Sequence, residues 1–147
     1  ERDESVDELI AIEQELGLDR AKTLHKFDNK ICVVRDKFHK LVHSLKAEGK
    51  TIAGFGAPTK ATTLMRHFGL DETVIDFIVD DNPLKQGKFS PGFHIPIMNS
   101  DELYEKMPDY LVILAWNFFD SIMRKHKKYK DRGGKFILPM PEAHIVE

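Results

Sequence analysis

The chain has 147 residues, of which 41% are hydrophobic and 31% charged, with a formal net charge of −2. That is long enough for one domain with its own core, and the composition fits a soluble globular protein. The near-neutral charge argues against nonspecific nucleic-acid binding, and apolar runs of about seven residues are too short to span a bilayer.

The single cysteine, Cys32, excludes an internal disulfide and sits in an apolar helical pattern, as a small core residue would. No Cys/His spacing suggests zinc. No signal peptide is expected, which points to the cytoplasm as the compartment, and no membrane or nucleic-acid partner is expected. The first residue is Glu1 rather than Met, which is compatible with an excised fragment.

Residues 6–16 read as a short amphipathic helix broken by Gly17. A long helix is expected over about residues 19–48. On it Phe27, Ile31, Val34, Phe38, Leu41 and Leu45 recur at alternating steps of four and three. This stripe is expected to pack on a sheet or another domain rather than form a coiled-coil seam, and Gly49 ends the helix. Residues 1–49 thus form a helical lead-in, packed on the same domain or on a missing partner domain.

From residue 50 the texture changes. Strands are expected at 51–55, 74–79, 95–98, 110–114 and 136–138, and helices at 61–68, from Ser100 or Asp101 to about 106, and 118–131. Gly69 closes one helix, Gly133-Gly134 marks a turn, and residues 82–91 read as a loop rich in Gly, Pro and Lys. Strands that alternate with helices, and are apolar throughout, imply an α/β domain over 50–147. Its sheet is mainly parallel and buried between two helical layers.

Such sheets bind ligands beyond the carboxyl ends of their strands. The most informative segment there is Gly54-Phe55-Gly56-Ala57-Pro58-Thr59-Lys60, a strand running into a glycine turn and a helix. A helix start suits a phosphate or other anion, and Lys60 adds positive charge. The segment resembles the Rossmann dinucleotide turn, but Thr59 occupies the place of the third glycine. A tight turn without ligand is the plain alternative.

Asp80 ends the second strand, where nucleotide-binding folds hold a ribose hydroxyl. A loop-capping aspartate beside Asn82-Pro83 reads equally well. Lys85, Gln86 and Lys88 either face anionic groups or are solvated. Trp116-Asn117 after the fourth strand can stack on a ring and bond its edge, or serve as lid and cap. A lone histidine such as His94 is more often structural than a base. No catalytic constellation or metal set assembles.

Beyond these single features, a string of motifs runs through the chain in order. Gly56-Ala57-Pro58-Thr59-Lys60 is followed by Asp80-x-Asn82-Pro83-x-Lys85-Gln86-Gly87, Pro91-Gly92-x-His94-Ile95-Pro96-Ile97 and Pro108-Asp109-Tyr110. Ala115-Trp116-Asn117, Gly133-Gly134-Lys135-Phe136 and Pro139-x-Pro141 complete it. The whole resembles the C-terminal domain of sugar C-methyltransferases, which use S-adenosylmethionine and act on nucleotide-linked deoxysugars.

That resemblance implies a Rossmann-like domain that follows a zinc-binding domain and a Rossmann domain holding S-adenosylmethionine. The latter supplies the catalytic histidine and glutamate. It implies that a base removes a proton beside a sugar keto group and that the enolate carbon takes the methyl group. The present domain would orient a nucleotide-diphosphate sugar, with no cofactor of its own. The substrate-binding residues would be Gly56, Ala57, Pro58, Thr59, Lys60, Asp80, Asn82, Lys85, His94, Trp116, Asn117 and Pro139. Its partner is the S-adenosylmethionine-binding domain, on the same or a separate chain.

Two positions depart from the family pattern. Asp81 stands where relatives often carry a basic residue, and Ala61 where a glycine is common. An added negative charge at Asp81 would weaken phosphate attraction by roughly 1 kcal/mol in a partly wet site. The competing readings are an independent NAD- or nucleotide-binding domain and a non-enzymatic interaction domain.

Overall fold

A computed structural model describes residues 3–146, in two compact units that divide between Val33 and Val34. In the first unit, α1 (Glu4–Glu15) starts at Asp3, whose side chain accepts the Ser5 N–H at 3.3 Å. None of its residues is buried, and Leu9 is 60% exposed. The helix α2 (Ala21–Ala47) begins in this unit, where Leu24 and Phe27 are exposed and Cys32 is half-buried.

The second unit carries the rest of α2 and the α/β domain. From Val34 onward the α2 stripe is core. Phe38, Val42 and Leu45 are buried, and the Phe38 ring meets Phe68 edge-on at 5.2 Å. The elements that follow are β1 (Ile52–Phe55), α3 (Thr59–Phe68), β2 (Phe77–Val79), β3 (Lys88–Phe89), β4 (Pro96–Met98) and α4 (Glu102–Lys106). Then come β5 (Tyr110–Ile113), a 3-10 turn (Trp116–Phe118), α5 (Phe119–Lys125), α6 (Lys127–Asp131), β6 (Lys135–Leu138) and β7 (His144–Val146).

The sheet order is β3-β4-β2-β1-β5-β6-β7. The five inner strands are parallel, while β3 and β7 run antiparallel at the edges. Strand order therefore reverses between β1 and β5, which makes their carboxyl tips the switch point of a doubly wound sheet. One face packs against α2 and α3 through Met65, Phe68 and Ile78. The other packs against α4, α5 and α6 through Leu103, Ile122 and Tyr129.

The amino ends of the central strands are closed by side chains. Asp76 accepts the Ile52 N–H and the Lys46 ammonium, both at 2.9 Å. Asp109 accepts the Thr51 N–H at 2.8 Å, and its own N–H donates to the Thr51 hydroxyl. These pairings satisfy strand-end donors that water would otherwise have to reach.

Several local expectations change. The second strand begins at Phe77, because Asp71 folds residues 71–75 into a turn by accepting the Val74 and Ile75 N–H groups. The helix after the fourth strand breaks at His126 into α5 and α6. Asp101 is the N-cap of α4 by position, yet its side chain makes no capping bond; the Asn99 side chain instead accepts the Asp101 N–H at 3.0 Å. The loop over 82–91 contains β3, and β7 adds a strand beyond 136–138.

Candidate functional site

The turn after β1 is shaped by Gly56. Its φ is +85°, and a Cβ there would lie 2.8 Å from the Ala115 Cβ, so only glycine fits. Its N–H reaches Val79 O at 2.8 Å. Pro58 then caps α3 in extended conformation, with no side-chain cap bond and no acidic residue in the first turn. The first-turn N–H groups of Thr59 and Lys60 have no intrahelical acceptor, so the helix itself supplies no group to meet the positive end of its dipole.

Asp80 is 6% exposed. Its Oδ2 accepts the Ala57 N–H at 2.6 Å and the Lys85 ammonium at 3.1 Å, and its Oδ1 accepts the Asn82 N–H at 2.8 Å. The Gln86 side-chain amide donates to Asp80 O at 2.9 Å. The acid at the tip of β2 thus clamps the glycine turn to its own loop. Asn82 extends the loop by accepting the Leu84 N–H at 3.0 Å.

Across the switch point, Lys60 Nζ sits 4.6 Å from the centroid of the Trp116 ring. That is within cation–π reach. Lys60 and Trp116 are half-buried and Asn117 is exposed. Pro139 is buried at the tip of β6, two strands from β1. His94 is exposed with φ +57°, and its ring stacks on Phe89 at 4.3 Å and 9°. The structure therefore joins Ala57, Asn82 and Lys85 to Asp80 by direct bonds, and sets Lys60 over Trp116. His94 belongs to the β3–β4 hairpin.

Two cavities flank the tip of β2. One, of about 310 Å³, lies on the α3 face, with Pro58, Met65, Ile78, Leu84, Phe89 and Ile97 in its walls and Lys85 and Lys88 at its edge. The other, of about 430 Å³, lies on the α4–α5 face and is lined by Asp81, Ser100, Tyr104, Lys125 and His126 among others. Sequence reasoning passed over Phe89 and Leu84. A bulky aromatic inside a Gly/Pro/Lys loop was the signal available.

The charge of Asp81 does not stand bare beside the turn. Lys125 Nζ lies 2.6 Å from its Oδ2, and the Ser100 hydroxyl donates to its Oδ1. Partial burial pushes the Asp81 carboxyl up, but these hydrogen bonds outweigh it and hold the group below its ordinary range. Beside it, Tyr104 Oη and His126 Nδ1 are 2.8 Å apart, and His126 is 2% exposed. Burial pushes the imidazole below its usual value; Asp81 pulls it up and Lys125 down.

Among the described residues, no group of three or more His, Cys, Asp or Glu is placed to hold a metal ion, and no helix is long and apolar enough to cross a membrane. Residues 1–141 match the family described as C-methyltransferase C-terminal domain. A relative, C-methyltransferase NovU of Streptomyces niveus, is 38% identical over 142 residues, covering 97% of this chain and 34% of the relative. The chain spans about a third of that relative's length.

Proposed function

The chain belongs to the C-methyltransferase C-terminal domain family, and from that premise we propose that it orients a nucleotide-linked keto-deoxysugar for methyl transfer carried out by a longer polypeptide. The observation that carries this reading is the start of α3. A helix end with no side-chain cap bond and no acid in its first turn carries a lysine, Lys60, there, and the one carboxylate beside it, Asp80, is already engaged by Ala57, Asn82 and Lys85. Positive charge there opposes the helix dipole and costs a few tenths of a kcal/mol up to about 1 kcal/mol. A bound diphosphate reverses that balance, since it accepts the free N–H groups and the ammonium together.

In this reading Asp80 acts indirectly, by fixing Ala57 and Lys85, and Trp116 with Asn117 walls the sugar side. The domain contributes positioning and phosphate neutralisation, and these lower a barrier by holding reactants in place. Asn82 keeps the β2 loop closed, and Pro139 shapes the far tip. No residue of this chain is assigned as the base.

S-adenosylmethionine supplies the methyl group when bound to the longer protein. The residues of this chain do not fit its seat. The acid at the tip of β2, which would take ribose hydroxyls, already accepts from Ala57, Asn82 and Lys85. We therefore place that cofactor outside this chain and expect the chain alone to transfer no methyl group. Separate calorimetric titrations with a thymidine-diphosphate sugar, NAD and S-adenosylmethionine test the reading. Heat from the nucleotide-sugar alone supports it, and heat from NAD alone overturns it.

A further inference from the structure

The cavity on the α3 face has two chemically distinct parts. Its floor and sides are apolar, formed by Met65 on the helix and by Ile78 and Ile97 on the sheet. Phe89 stands at its outer wall, 52% exposed, with His94 stacked against it. An aromatic side chain that keeps half its surface in water while another ring fixes its plane is poised to stack on a third ring.

The edge of the same cavity is cationic. Lys85 is paired with Asp80, whereas Lys88 has no ion pair among the described residues. Ala57, Pro58 and Thr59 belong both to the cavity wall and to the uncapped helix start. A volume near 310 Å³ is at the small end of ligand pockets, which run from about 300 to 1,000 Å³. A flat apolar ring joined to an anionic group satisfies both parts at once, and a nucleoside 5′-phosphate has that chemistry.

We propose that this cavity is a nucleoside subsite in which the base lies against Phe89, and that the phosphates lead from it across the turn toward Lys60 and Trp116. The ligand then has a fixed direction along the sheet edge, with its nucleoside over β2 and β4 and its sugar at the switch point between β1 and β5. His94 is a positioning residue that holds the Phe89 ring. The proposal rests on the nucleotide-sugar reading and adds where each half of that substrate lies.

The test is calorimetric titration of the whole chain with thymidine diphosphate and with inorganic pyrophosphate, comparing the native sequence with Phe89→Ala and Phe89→Leu. Phe89 is exposed, so circular dichroism of both variants should match the native chain. Base stacking on an aromatic side chain is worth enough that Phe89→Ala should weaken thymidine diphosphate about tenfold or more. Phe89→Leu should fall between, and pyrophosphate affinity should not move. Equal loss for both ligands overturns the subsite, because Phe89 would then act on the turn. Thymidine diphosphate binding that ignores both variants overturns the subsite alone and leaves the nucleotide-sugar reading standing. Failure of thymidine diphosphate to bind overturns both.

Discussion

The backbone N–H of Ala57 donates to Asp80 Oδ2 at 2.6 Å, so the acid at the end of β2 sets the shape of the turn at the end of β1. Asp80→Asn would give Ala57 a poorer acceptor and leave Lys85 without its counter-charge. With Asp80 buried, the cost should be about 1–3 kcal/mol. Urea unfolding measures it. Lys85→Ala should cost less, because Lys85 is partly exposed and Ala57 and Asn82 still donate to the carboxylate. Equal costs would show that the ion pair, not the turn, carries the effect.

Gly134 sits against the buried ring of Tyr129. A Cβ at Gly134 would lie 2.2 Å from that ring, whose hydroxyl donates to Pro108 O at 2.8 Å. Burial pushes the phenol well above its ordinary range, so it stays protonated and able to donate. Gly134→Ala must displace a fixed aromatic and should cost about 1–3 kcal/mol. In thermal melts, adding Tyr129→Leu should recover part of the loss caused by Gly134→Ala. Strict additivity of the two would contradict the contact.

Stability should fall on mild acidification through His126. Its folded imidazole titrates below the ordinary value, because burial favours the neutral ring. The unfolded chain therefore binds more protons as pH drops through about 6.5. The contribution is complete above that value and is lost toward the lower folded value. Asp81, also held low, loses its contribution at more acid pH, below the ordinary carboxylate range. Urea midpoints between pH 7.5 and 5.5 should drop for the native chain and stay flatter for His126→Phe. A His126→Phe profile that parallels the native one would remove His126 from this role.

The long apolar runs made β1 and β5 legible, and Gly69 marked the end of α3, because burial on both faces and a left-handed cap leave direct traces in sequence. The expected second strand overran. Val74 and Ile75 are as apolar as a strand and fully buried, yet Asp71 winds them into a turn. The edge strands β3 and β7 are two and three residues long, too short for any alternation to register. Residues 56–60, Asp80 and Trp116 were visible as strand tips. The cavity was not, since Met65, Ile78, Phe89 and Ile97 meet only once the sheet order is known. The pairing of Asp81 with Lys125 was hidden for the same reason, being a contact between residues 44 positions apart.

Lys60→Ala removes the cation beside Trp116 and one charge from the start of α3. It should leave stability nearly unchanged or slightly raised, because a lysine in the first turn opposes the dipole. It should also weaken pyrophosphate. Urea unfolding and calorimetry separate the two effects, and unchanged pyrophosphate affinity would take Lys60 out of the site.

Trp116 is the single tryptophan of the chain, and it lies under Lys60, where the proposed reading puts the sugar end of the ligand. Its fluorescence on titration with a thymidine-diphosphate keto-deoxysugar tests the central claim most directly. A saturable change that Lys60→Ala shifts to higher ligand concentration, and that NAD and S-adenosylmethionine do not reproduce, is the predicted result. A saturable change with NAD and none with the nucleotide-sugar would contradict it.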